Sequence, residues 1–117
     1  MNNVNPGPRD QDTTTFTATD GVQVNELAHD AVLSITTTNS TYHVTVIAPE
    51  TAQVRVRGGK CFPSDTLAQI AGSSSNSSIK PFGVCVGYSI EFFVQGMRVR
   101  TSPVRAIRVS TESARAA

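Results

Sequence analysis

The chain has no tryptophan, only two cysteines and two histidines, and few aromatic residues of any kind. No apolar run approaches the ~18–20 residues that a membrane-spanning helix needs, so a helical membrane anchor is not expected. Cys61 and Cys85 have no second cysteine pair with which to complete a zinc set. His29 and His43 have no acidic or cysteine ligand at metal spacing, and no metal or cofactor is expected. A Gly-x-Ser-x-Gly nucleophile elbow is missing, and Glu91 is the one acid in the most strand-like segment, so no carboxylate pair suggests acid–base chemistry. The expectation is that the protein is not an enzyme. The opening Met1-Asn-Asn-Val-Asn-Pro-Gly-Pro8 has neither the basic nor the apolar region of a secretory signal. A cytoplasmic location follows as an expectation, with both cysteines reduced and mostly packed; a disulfide and a thiol activated by Lys60 are the alternatives.

What the chain does contain is β-branched residues in short alternating runs. Its 117 residues suit one domain with a modest core. Residues 1–18 and 111–117 are polar, without apolar periodicity, and are expected to be disordered tails around a single β domain at 19–110. In Thr41–Ala48 the set Tyr42, Val44 and Val46 shares one face. Leu33 with Ile35 precedes it, and Val54 with Val56 follows, which predicts a three-stranded antiparallel meander. Val84, Val86, Tyr88, Ile90, Phe92 and Val94 share one face of a long central strand, and Gln95-Gly96 turns it into Met97–Thr101. Pro103 suggests that Val104–Val109 is a final, edge-type strand. Two segments stay open: 21–30 reads as a short strand and then a turn of helix, and 64–71 as either a strand or a short helix. Six to seven short strands predict an all-β antiparallel barrel or sandwich of SH3-like or OB size, preferably a partly open barrel.

The pattern Asn39-Ser-x-Tyr42, Arg57-Gly-Gly-x-x-Phe-Pro63, Ala71-Gly-Ser73, Val86-Gly87 and Thr101-Ser-Pro-Val-Arg105 resembles a set of small bacterial all-β proteins of undetermined role. It spans roughly residues 22–109. The resemblance implies a bacterial origin and a free-standing small domain, and no particular activity.

Two stretches invite a functional reading. Ala71-Gly-Ser-Ser-Ser-Asn-Ser-Ser-Ile-Lys-Pro-Phe-Gly83 has glycine, hydroxyls and a lysine, the materials of a phosphate cradle. However, it lacks the flanking glycine pair and the following helix that such a loop needs. It is expected to be a solvated connection. The second is arginine. Through residue 50 one base stands against six acids, a net −5; beyond it nine bases stand against three acids, a net +6. Arg55 and Arg57 alternate on one strand, Arg98 and Arg100 on another, and guanidinium suits phosphate. These four are the candidate site for weak binding of nucleic acid or another polyanion, against the plainer alternative of charged faces that compensate each other, with Glu91 opposite Arg98 or Arg100. With no catalytic set in view, the first expectation is a module that binds an unidentified protein partner or itself, at an exposed strand such as Val104–Val109.

Overall fold

In the computed structural model, residues 16–75 and 78–110 are described, and they form eleven strands and no α-helix. The strands are β1 (Phe16–Thr19), β2 (Gly21–Gln23), β3 (Val32–Thr37), β4 (Thr41–Ala48), β5 (Gln53–Gly58) and β6 (Phe62–Ser75), then β7 (Ser78–Pro81), β8 (Gly83–Cys85), β9 (Ser89–Val94), β10 (Met97–Arg100) and β11 (Val104–Ser110). Single 3₁₀ turns occupy Val24–Glu26 and Pro49–Thr51. The main sheet runs β1-β11-β3-β4-β5-β6-β9-β10 with β7 attached to β6, while β2 and β8 pair apart from it. Every pairing is antiparallel.

The all-β expectation therefore holds, with more strands than the expected six to seven. The additional ones are β1 and β7, four residues each and too short to show a period, and the second strand that arises where the expected central strand divides into β8 and β9; β2 and β6 fall in the two segments left open. The sheet does not close into a barrel: β1 and β10 end it and do not pair with each other. Among the described residues the backbone bridges the gap where residues 86–88 meet Asp20 and Val104, with Val86 N–H donating to Asp20 O at 2.9 Å. Gly87 N–H donates to Val104 O at 2.8 Å, and Val104 N–H donates to Tyr88 O at 2.9 Å. The entry to β9 thus meets the entry to β11, and the two edge strands are left apart.

The meander forms as its alternation predicts. Leu33 faces Val44 and Val44 faces Val56 across β3, β4 and β5, and all three are fully buried. Tyr42, Phe62 and Phe92 meet in the core, with Phe62 and Phe92 edge-on at 5.2 Å between centroids and Tyr42 within 6.4 Å of each. Such aromatic pairs add about 0.5–1.5 kcal/mol each beyond their burial. The hairpin at Gln95-Gly96 forms with φ of 52° and 80°, the left-handed pair that a two-residue turn requires.

Expectations about several segments are corrected, and one that was left open is decided. The central strand from Val84 to Val94 is two strands, because Gly87 adopts φ 93° and turns the chain between β8 and β9. Val86 is left exposed there, although it keeps the apolar alternation. The serine stretch is not a solvated loop: its first half is the end of β6, paired to both β7 and β9. Ser73 is fully buried there; its hydroxyl donates to Gly83 O at 2.6 Å and accepts from Cys85 N–H at 3.2 Å. Gly72 allows this packing, since at φ 151° a Cβ would run into the Lys80 carbonyl. Segment 64–71 belongs to β6 and has no helix. Finally, β11 is an interior strand, with β3 on one side and β1 on the other. Pro103 lies just before the ladder and removes nothing from it. Residues 16–18, expected within the tail, pair with Ser110, Val109 and Arg108; the tails at 1–15 and 111–117 lie outside the described residues.

Candidate binding face

The four candidate arginines lie on one face of the main sheet. Register gives a row across four strands: Gln53 on β5, Gln69 on β6, Phe93 on β9 and Arg98 on β10. Because alternate residues of a strand share a face, Arg55 and Arg57 flank this row on β5 and Arg100 flanks it on β10. All four arginines are exposed. They do not form one patch. Two strands separate the pairs, so at ordinary strand spacing they stand about 14 Å apart. Between them lies an open groove of about 530 Å³, lined by Thr51, Gln53, Leu67, Gln69, Phe93 and Gln95 among others. Leu67 at 53% and Phe93 at 37% relative exposure are its apolar surface.

Both banks carry acids. On the β5 side, Arg57 Nε lies 4.0 Å from Asp65 Oδ1, with both side chains more than half exposed. Such a pair contributes little in water. His43 is Arg57's partner across β4 and is also exposed. On the β10 side the arrangement is tighter. Glu91, the cross-strand partner of Arg100, is only 6% exposed. Arg98 Nη1 is 3.1 Å from Glu91 Oε1, and Arg100 Nε is 4.0 Å from Oε2. Oε1 is off the line of a hydrogen bond, so the contact is one of charge. Arg98 also lies over the Phe93 ring, 5.0 Å from its centroid. One buried carboxylate thus holds two half-exposed guanidinium groups, which leaves one positive charge in excess. The alternation in the sequence placed these arginines outward; the burial of Glu91 carries no sequence signal, since it depends on packing around the hairpin.

Gly58, Ser102, Pro103 and Arg105 of the sequence pattern, with Thr37 and Thr38 beside it, serve the architecture. Thr37 and Ser102 join the β3–β4 turn to the segment before β11, with Ser102 Oγ donating to Thr37 Oγ1 at 2.9 Å. Thr38 N–H donates to Pro103 O at 3.1 Å, and Arg105 Nε donates to Thr38 Oγ1 at 3.3 Å. Gly58 passes so close to Thr41 O that a Cβ would collide with it. Cys61 is exposed in the turn between β5 and β6 rather than packed; Cys85 is half-buried, and both are free thiols. His29 Nδ1 sits 3.1 Å from Asp30 Oδ2 on the surface. Among the described residues, no three His, Cys, Asp or Glu side chains group as metal ligands, and no helix is long and apolar enough to cross a membrane.

Nothing matches this chain in comparisons with family models, curated proteins and solved structures.

Proposed function

We propose that this protein is a non-enzymatic interaction module that takes a protein partner or a second copy of itself at the open edges of its sheet. A single observation carries the reading: among the described residues the sheet ends in two strands, β1 and β10, each paired on one side only. An unpaired edge offers a row of backbone donors and acceptors to another strand. The exposed Leu67, Phe93 and Met97 add apolar surface beside or near β10. A cytoplasmic setting and kinship with the small bacterial proteins belong to the same proposal.

Light scattering after gel filtration, over a wide concentration range, tests it together with affinity capture. The expected result is a concentration-dependent complex, or a captured partner, that is lost when an edge strand is blocked by a proline or a charge. A chain that stays monomeric and captures nothing edge-dependent would overturn the reading.

A second reading is binding of single-stranded nucleic acid or another polyanion across the groove. Phe93 favours it, as an outward aromatic ring between arginine pairs, with Arg98 already over its face. Four phosphate contacts would give a salt slope of about −3 on a log–log plot, and converting Arg55 and Arg57 to alanine would flatten it by one to two units. Fluorescence anisotropy with a labelled oligonucleotide at two salt concentrations reads both.

A further inference from the structure

We infer that β10 is a docking edge for an extended acidic segment of a partner protein, one in which carboxylate and apolar residues alternate. This rests on the interaction-module reading and narrows it to one edge and one kind of ligand.

The hydrogen-bond phase of the hairpin comes first. A two-residue loop makes Val94 and Met97 a hydrogen-bonded pair, so the bonded positions along β10 are Met97, Val99 and Thr101. The Thr101 N–H donates to Ile90 O at 2.9 Å, which agrees with that phase. Arg98 and Arg100 therefore direct their backbone N–H and C=O away from β9, to the open side. Among the described residues no partner meets them there.

Side chains then specify what fits. Arg98 and Arg100 lie on the outer face, 56% and 54% exposed, and share the single buried carboxylate of Glu91. The pair keeps one uncompensated charge and free guanidinium N–H groups, held in place by Glu91 and, for Arg98, by Phe93. On the opposite face of the same strand lie Val99, half-buried, and Met97, 69% exposed. A strand added to this edge meets arginine, then an apolar neighbour, then arginine again. Carboxylate opposite each arginine and an aliphatic side chain beside Met97 and Val99 match it residue by residue. A second copy of β10 does not match, because antiparallel pairing would set arginine against arginine. Nor does β1 of another copy, since Phe16–Thr19 has no carboxylate.

The test is fluorescence anisotropy of the full chain with a labelled, acetylated peptide of four Glu-Val repeats at low salt. Saturable binding is expected. A peptide of the same composition with its glutamates and valines in two blocks, and one with prolines at alternate positions, should each bind about tenfold more weakly. Arg98→Gln with Arg100→Gln should also weaken binding about tenfold, whereas Arg55→Gln with Arg57→Gln, two strands away, should change it less than about twofold. Glu91→Gln keeps the shape, frees guanidinium charge and should tighten binding about threefold, which serves should the double arginine variant fail to fold. No binding at low salt, equal binding of the block or proline peptide, or a loss that follows Arg55 and Arg57 would each overturn the inference. So would a single-stranded oligonucleotide that displaces the peptide from Arg98 and Arg100 more strongly than unlabelled peptide does. If the peptide fails while the chain still associates through β1, this inference falls and the wider reading stands.

Discussion

The two ends of the sheet are built oppositely. At one end β10 carries an arginine at every second residue, anchored by a buried glutamate and backed by the fully buried Phe92 of β9. At the other, β1 is Phe-Thr-Ala-Thr, with no charge and with three of its four residues exposed, Phe16 among them. Charge on an edge strand discourages pairing with its own copy, whereas an uncharged edge leaves pairing open. The difference separates two uses that an open sheet otherwise confuses. The β10 edge repels itself and selects for acid; the β1 edge has no such filter.

The deepest test of this contrast is the core beneath β10. Phe92 is fully buried against Phe62 and Tyr42. Phe92→Ala should cost about 3–5 kcal/mol, from lost burial plus the cavity left behind. Urea unfolding followed by circular dichroism measures it. A loss below about 1 kcal/mol would mean that the β9–β10 end is not fixed by the core, and the contrast with β1 would collapse.

The next effect is electrostatic. Arg98→Gln with Arg100→Gln leaves the Glu91 carboxylate buried without either cation. The expected cost is about 1–3 kcal/mol, the penalty for a buried polar group that has lost its partners. Adding Glu91→Gln to that double change should restore much of the loss, because the group left behind is then neutral. If the triple variant is no more stable than the double, the arginines do not hold Glu91, and their outward placement is incidental.

How much of this was legible in the sequence follows from where periodicity carries information. The strands β3, β4 and β5 bury one face and expose the other, so the two-residue period of Leu33–Ile35, Tyr42–Val46 and Val54–Val56 placed them. The outward arginines followed from the same rule. By contrast β6, fourteen residues long, was hidden because Ser73 is buried by hydrogen bonds and Leu67 is exposed, which reverses the usual signal. The alternation of Val84 to Val94 ran on through Gly87, where the chain actually turns, because Val86 and Tyr88 happened to keep its phase. β1 was invisible for a simpler reason. Four residues, with Phe16 the single large apolar side chain, are too few to establish a period, and their strand character comes from β11, remote in sequence. The candidate site was half legible for the same cause: strand alternation gave the arginine faces, while strand order decided that a groove with Leu67 and Phe93 would separate them.

The smallest change in stability belongs to β1, and there the readout is association. Thr17 is exposed on the edge strand opposite Val109. Thr17→Lys places a charge where the native strand has none and removes no core contact, so unfolding free energy should move by less than about 0.5 kcal/mol. Any concentration-dependent complex built on β1 should nevertheless disappear, because two copies pairing antiparallel would bring lysines together at an edge that must lose water to pair. Sedimentation velocity on the two proteins at matched concentration reads this directly. A complex that survives Thr17→Lys unchanged would move self-association away from β1, and one abolished instead by Arg98→Gln with Arg100→Gln would place it at the edge that charge was expected to guard.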